Sequence, residues 1–360
     1  GDRQIWIIYA LLVLFSIVIV TSSVSNLAFR TTQGNTLPHV LTHTLHLLGG
    51  FCFVFILPYI HYETLRTWFR YLLWIAPMLM LYTLFFGKSV GAASRWISVF
   101  GLISFQTSDF LKLVFVVNLA SMLADKQHIQ NDEYKLSALN NIIIWGCIYA
   151  GLLVFASFSS VVILLGTTLF LMLAGRVPIK HFIRLILYSF VSILLIVSVS
   201  IYAERNKMSF PRSETIVERI EAFTGKDLDK DAEIGGKIGK EGTQRIYAQI
   251  AVANGGVLGT GPGNSFQKYK LPFVYSDFVY SIIVEEYGLW GGILIIVLYL
   301  WLLSRGIKNV DNTKRPFGGL LIVGLTISMV FQAFVQTESC FRQKYLILPA
   351  AQQQRQSPML

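Results

Sequence analysis

Three ionisable side chains in an apolar chain carry the chemistry open to this sequence: Arg95 in "GAASRWISVFG", Lys112 in "QTSDFLKL" and Asp277 in "LPFVYSDF". Two fixed cations and one carboxylate on the same side of a membrane would form a cavity in which the acid serves as a base and the cations hold an anionic leaving group. That combination suits a lipid-linked pyrophosphate. Each residue also has a plainer account. An Asp opening a helix is an ordinary N-cap, and Lys112 can pair with Asp109 three residues earlier or snorkel towards water. Glu285 and Glu286 in "VEEYG" are harder to dismiss. Two adjacent carboxylates in an apolar helix cannot both be solvated at its surface, so at least one faces a polar cavity or a cation inside the bundle.

Just before Asp277 runs "GGVLGTGPGNSFQKYK", residues 255–270, rich in glycine. A phosphate-binding P-loop would require a Lys-Ser or Lys-Thr after the glycines, which is missing, and a dinucleotide fingerprint would require a βαβ unit, for which the sequence has no room. Two readings stay open: bare backbone N–H groups that approach an anion, or a turn that lets the chain pack closely. His39, His43 and His46 share one helical face, a count that suits zinc. With no Cys or carboxylate beside them, packing and capping account for them better. Cys52, Cys147 and Cys340 form no metal-spaced pair.

The elements that must position these residues are membrane spans. Hydrophobic residues make up 54% of the 360 and charged ones 14%, with a mean hydropathy of +0.58, more apolar surface than one soluble core can hide. Stretches near the ~20 residues needed to cross a bilayer fall at 5–22, 43–61, 69–86, 108–124, 138–156, 158–175, 182–202, 278–303 and 317–335. The first has no small-residue cleavage site after it and reads as a span, not a removable signal. Basic residues gather in alternate short loops: Arg66 and Arg70; Lys126 and Lys135; Arg176, Lys180 and Arg184; Arg305, Lys308, Lys314 and Arg315. The positive-inside rule puts these loops and the N-terminus in the cytoplasm, and segments 23–42, 87–107 and 203–277 outside. The same rule absorbs the net charge of +10 and removes the case for nucleic acid. Within the long outer segment, "SETIVERIEAF" predicts an amphipathic helix capped by Ser213, residues 224–242 a polar connector, and "TQRIYAQIAVANGG" a second helix stopped by Gly-Gly.

These motifs resemble a known family, the SEDS proteins (FtsW, RodA and SpoVE). "GAASRWISVFGLISFQTSDFLKL" is similar to the family's G-x-x-R-W segment and the Q-P-S-E-x-x-K that follows it, "GRVPIKHF" has the family's look after span six, and residues 242–292 are similar to its long extracellular signature of glycine turn, N-S, L-P, D-F and G-E-E-x-G. The spellings "GPGNS", "YSDF" and "VEEYG" lean towards a Bacteroidetes-type FtsW. The resemblance implies an all-α polytopic bundle without a soluble domain, over residues 1–335 and including the extracellular loop 203–277, with nine of the family's ten spans. It implies a peptidoglycan glycosyltransferase that polymerises lipid II onto a glycan carried on undecaprenyl pyrophosphate, in the bacterial cytoplasmic membrane. Asp277 would be the catalytic base, Arg95 and Lys112 the pyrophosphate side, and Glu286, Gly261, Gly263, Asn264 and Ser265 further substrate-side residues. It leaves open a divalent cation, Mg or Mn, with no metal ligands assigned. The implied partners are a class B penicillin-binding transpeptidase and other divisome or elongasome membrane proteins.

Two departures bear on these expectations. Ser157 stands in "ASFSS" where many members carry Asp, which weakens a metal or second-carboxylate role there. Residues 336–360 are polar where the family continues to a tenth span, and read as a divergent, frame-shifted or truncated tail outside the fold. A missing span would remove a wall of the cavity and leave this chain impaired. Two other functions stay open: a flippase for lipid II or another polyprenyl lipid, which the same cationic cavity would serve, and an inactive scaffold that holds a transpeptidase.

Overall fold

The computed structural model describes residues 2–24, 28, 34–86, 88–90, 93–99, 103–128, 132–206, 240–269, 278–310, 313 and 315–341. Ten α-helices lie among them: α1 Arg3–Ser23, α2 Leu37–Ile56, α3 Tyr62–Phe86, α4 Thr107–His128, α5 Asp132–Val154, α6 Phe158–Ala174, α7 Ile179–Arg205, α8 Lys240–Gly255, α9 Val279–Val310 and α10 Pro316–Phe341. Every expected span coincides with one of them. Seven, namely α1–α4, α7, α9 and α10, are long and apolar enough to cross a bilayer, whereas the apolar parts of α5 and α6 are shorter. The predicted second helix of the long segment is α8, and it starts at Lys240, inside the expected connector. The predicted helix at 213–223 lies outside the described residues, as do residues 342–360 of the expected tail 336–360, whose first six residues instead continue α10 to Phe341.

Segment 87–107 departs from a plain loop. It forms a three-stranded antiparallel sheet of β1 Lys88–Val90, β2 Ala93–Val99 and β3 Ile103–Gln106, with β2 in the centre. Cα partners run Ser89 to Ser94, and Trp96 to Gln106 through Val99 to Ile103. The sequence accounts for it: "RWISV" and "ISF" are short β-branched and aromatic runs separated by Phe-Gly-Leu.

The chain divides into two compact units, 1–59 with 237–305 and 332–360, and 60–236 with 306–331. In the second, α3 packs on α4 and α5, α4 on α5 and α6, and α5 on α6 and α7. Helix α4 is the most buried span, through Leu111, Val114, Phe115, Leu119, Ala120 and Leu123. Because lipid is as apolar as leucine, close packing and internal polar bonds must hold such helices together. Both are present. Asn118 Nδ2 donates to the Phe69 carbonyl at 2.7 Å, and Tyr149 Oη to the Leu73 carbonyl at 2.8 Å. Arg66 on α3 donates to Ser121 at 2.6 Å and to Asp125 on α4, with its guanidinium 5.4 Å from the Phe317 ring centroid. A Cβ on Gly324 of α10 would stand 2.8 Å from a Leu171 methyl and 2.9 Å from a Val116 methyl, so any side chain there must push these two aside. Gly324→Leu is expected to cost about 1–3 kcal/mol by overpacking, read as a lower melting temperature of the detergent-purified protein.

In the first unit α1 and α2 are joined by aromatic contacts. Trp6 and Phe55 have ring centroids 5.3 Å apart, and Tyr9 and Phe51 6.2 Å. Between them Ser16 Oγ and His43 Nε2 form a hydrogen bond of 2.9 Å. His43 thus links the two helices. Asp2 caps α1 by accepting from the Gln4 N–H at 2.9 Å, and its other oxygen meets Arg305 Nε on α9 at 3.1 Å.

Candidate functional site

The candidate residues fall into two groups, one in each unit. In the second unit Arg95 occupies the central strand β2, between Ser94, paired with Ser89, and Trp96, paired with Gln106. Since β3 runs straight into α4 at Thr107, the sheet register brings the strand of Arg95 to the start of the helix of Lys112, and β2 packs on α4. Lys112 is only 5% exposed, and its Nζ lies 2.8 Å from Asp109 Oδ1. The pairing expected from the i, i+3 spacing is therefore present. Asp109 in the first turn also complements the positive end of the helix dipole. The ammonium of Lys112 is thus buried and oriented by a half-exposed carboxylate. Ser157 stands at the N-cap of α6 with no side-chain capping bond.

In the first unit the site is organised by a break in a helix. Gly288 adopts φ 69° and ψ −169° inside α9, a conformation in practice open to glycine alone. A broken helix frees backbone groups that a membrane interior cannot satisfy. Here the glycine-rich stretch satisfies them. The Thr260 N–H and Oγ1 both donate to the Glu285 carbonyl at 2.9 Å, Gly261 N–H donates to the Glu286 carbonyl at 2.9 Å, and Leu289 N–H donates to the Gly256 carbonyl at 3.0 Å.

This contact is backbone against backbone, which explains why glycine is needed on both sides. A Cβ at Gly255 would lie 2.0 Å from the Val284 carbonyl oxygen, one at Gly259 2.3 Å from that of Glu286, and one at Gly288 2.3 Å from that of Val257. Of the two readings of the glycines, close packing is the one the geometry displays. Gly261 and Gly263 also have positive φ, 96° and 79°, and Asn264 Nδ2 donates back to the Thr260 carbonyl at 3.2 Å, so these residues shape the turn itself.

The two acids of "VEEYG" point into this turn, each only 1% exposed. Glu285 accepts from Ser265 Oγ through one oxygen and from the Phe266 N–H at 3.3 Å through the other. Glu286 accepts from Ser22 Oγ at the end of α1 and from the Ser265 N–H at 3.4 Å, with Lys268 Nζ 4.0 Å away. Lys268 Nζ in turn donates to the Gly263 carbonyl at 2.5 Å. Both carboxylates, and not only one, are thus buried among donors and a cation. Among the described residues no group of three or more His, Cys, Asp or Glu is placed to hold a metal ion. Asp277 lies outside the described residues, immediately before Phe278 and α9.

Sequence reasoning did not single out Ser22, Thr260 or Lys268. Lys268 carried a signal, being a lysine twelve residues past Gly256 in a stretch bounded by apolar elements. Ser22 carried none, since a serine ending a span is unremarkable.

Seven helices long and apolar enough to cross a bilayer, one of them broken at Gly288 with the glycine turn seated on the break, are those of a multi-pass membrane protein with a buried polar site. Residues 2–340 match the family model of FtsW, RodA and SpoVE, described as "Cell cycle protein", and the chain belongs to that family. It is 26% identical over 354 residues to the probable peptidoglycan glycosyltransferase FtsW of Coxiella burnetii, covering 96% of this chain and 89% of that protein. Against the corresponding protein of Bacillus subtilis it is 28% identical over 265 residues, covering 72% of this chain and 62% of that protein. Among solved structures, a chain of a peptidoglycan synthase complex superposes with a TM-score of 0.63 at 20% identity, over 95% of this chain and 87% of that one. The rod shape determining protein RodA of Thermus thermophilus gives 0.57 at 19% identity, over 94% and 84%. The fold is therefore that of RodA.

Proposed function

We infer that this chain is a peptidoglycan glycosyltransferase that polymerises lipid II, and that Asp277 is its general base. The observation that carries the reading is the family match over residues 2–340, joined to relatives named as probable peptidoglycan glycosyltransferases. Asp277 takes the proton from the acceptor sugar hydroxyl as its oxygen attacks the anomeric carbon of the donor glycan. The bond from that carbon to the undecaprenyl pyrophosphate breaks with inversion, and the pyrophosphate leaves with the electron pair. Arg95 and Lys112 balance the charge that develops on it. A divalent ion would supply the same stabilisation, but the described residues provide no ligand set for one.

The alternating basic loops support a cytoplasmic N-terminus and a site facing away from the cytoplasm. A class B penicillin-binding transpeptidase is the partner we propose, supported by the similarity to a chain of a complex that coordinates polymerization and crosslinking. The spellings of the glycine turn and "VEEYG" support a Bacteroidetes-type FtsW.

The test is polymerisation of lipid II by the purified protein in liposomes. Glycan strands are expected, and their absence together with movement of lipid II between leaflets would replace this reading with a flippase. Lys112→Met is expected to lower turnover about 10²-fold with the protein folded, since Asp109, half exposed, is left solvated and not buried alone. Unchanged turnover would remove Lys112 from the pyrophosphate side.

A further inference from the structure

Five large apolar side chains border the break in α9 and are left uncovered. Val257, Leu258 and Phe266 of the turn are exposed, Leu258 to 85%, and so are Leu289 and Trp290, which follow Gly288. The Gly288 position abuts the backbone of Val257, Leu258 and Gly259, Leu289 N–H donates to the Gly256 carbonyl, and Phe266 N–H donates to Glu285. These residues therefore share one neighbourhood. In water a contiguous patch of this kind is unfavourable and marks a contact surface. What covers it follows from its depth.

Helix rise supplies two rulers. From Gly288 to Arg305 the helix covers about 26 Å at about 1.5 Å per residue, and tilt only shortens its projection on the membrane normal. Arg305, paired with Asp2, belongs at or outside the edge of a hydrocarbon core about 30 Å thick. Gly288 therefore lies within the core, near its far edge. Helix α1 gives the same depth independently. Asp2 meets Arg305 and Ser22 donates to Glu286, and about 30 Å of helix separates Asp2 from Ser22. Glu286 thus marks the edge, and Gly288, Leu289 and the backbone seated on them lie on the lipid side of it.

The polarity of the turn changes in step with depth. Hydrogen bonds pair Gly256 with Leu289, Thr260 with Glu285 and Gly261 with Glu286, so the chain climbs towards water from 256 to 261. Its deep end carries Val257 and Leu258, whereas Pro262, Gly263 and Asn264, exposed after the climb, bring no large apolar side chain. Irregular backbone is tolerated at membrane depth only where its polar groups are satisfied. Here the N–H groups of Gly259, Thr260 and Gly261 and the Gly256 carbonyl are bonded to α8 and α9.

We propose that the glycine turn is seated in the bilayer, with Val257, Leu258 and Phe266 in contact with lipid acyl chains and continuous with the lipid-facing surface of Leu289 and Trp290. Burial of these side chains in lipid holds the turn down on the break by the same hydrophobic effect that holds the spans in the membrane. An aromatic pair, Phe266 and Trp290, at the border between lipid and water fits that depth. With the N-terminus in the cytoplasm, as proposed above, the leaflet is the outer one. Seating in lipid depends neither on that orientation nor on the chemistry at the site.

The experiment places a nitroxide label on the full chain in liposomes of phosphatidylethanolamine and phosphatidylglycerol. Cys52, Cys147 and Cys340 are first replaced by alanine, and single labels are then attached through Leu258→Cys, Val257→Cys, Pro262→Cys and Leu294→Cys. Collisions with oxygen, which concentrates in hydrocarbon, are compared with collisions with a water-soluble nickel chelate. The oxygen-to-nickel ratio at 258 and 257 is expected to match that at Leu294, an exposed position in the apolar span of α9, and to exceed that at Pro262 several-fold. Two adjacent labels on exposed positions keep the result independent of how well any one variant folds, and the melting temperature of each is measured beside that of the cysteine-free parent. A ratio at 258 and 257 as low as that at Pro262 would put the turn in water and overturn the proposal, leaving the patch to a protein partner. Low collision rates with both reagents would overturn it equally, by showing the patch covered by protein. Spin–spin broadening that disappears on dilution with unlabelled chain would then identify the cover as a second copy.

Discussion

Asp277→Asn is expected to abolish polymerisation of lipid II while leaving folded yield and melting temperature close to wild type. The substitution is isosteric, and the amide keeps the oxygen acceptor that an N-cap preceding α9 would use. What it removes is basicity. An amide does not take a proton from a sugar hydroxyl, so the loss should approach the 10²–10⁴-fold that a positioned general base contributes. The two readings of Asp277 thus separate by measurement. An N-cap alone predicts a small change in stability and normal turnover, whereas a base predicts normal stability and lost turnover. Binding of lipid II, followed by its protection of the protein against thermal unfolding, should be retained, because the groups assigned to the pyrophosphate, Arg95 and Lys112, are untouched. Retained polymerisation would sink the catalytic assignment and favour the flippase, which has no strict need for a base beside the sugar.

How far the sequence could lead to this site depended on how local each feature was. The spans were legible because each is a contiguous apolar run whose meaning does not depend on a neighbour, and α1, α4 and α9 all fall where hydropathy places them. The pairing of Lys112 with Asp109 was legible for the same reason, since three residues on a helix fix the geometry. The sheet of 88–106 was hidden by brevity, with strands too short for their periodicity to outweigh the apolar background. The contents of the turn were hidden by distance. Ser22 meets Glu286 across 264 positions of chain and Ser265 meets Glu285 across 20, and no periodicity reports contacts of that range. What the sequence did show was the cost: two acids in an apolar helix demand partners, and the partners could be inferred as a class, a cavity or a cation, though not by name. Glycine at 255, 259 and 288 was the other half of the same signal. Runs of glycine suggested a turn, but only the break in α9 shows that the glycines on the two strands of chain answer one another.

That correspondence gives the largest structural effect expected of any single substitution here. Gly288→Ala is expected to destabilise the protein by about 3 kcal/mol or more and to remove activity with it, for two additive reasons. Alanine is strained at φ 69° and ψ −169°, at about 1–3 kcal/mol. Its Cβ would also lie 2.3 Å from the Val257 carbonyl oxygen and 2.6 Å from the Gly259 nitrogen, both backbone atoms that cannot swing aside as a side chain would. Either α9 straightens or the turn lifts away. In both cases the bonds from Thr260 and Gly261 to α9 are lost, and Glu285 and Glu286, each 1% exposed, face one another without Ser265 and with Lys268 displaced. Buried carboxylates left without donors are among the costliest defects a fold can carry. The check is the melting temperature of Gly288→Ala beside that of Gly50→Ala, a helical glycine of α2 whose Cβ would meet nothing within 4 Å. The first should fall well below the second. Equal melting temperatures would mean that α9 tolerates continuous helix at 288 and that the turn is not seated on a break.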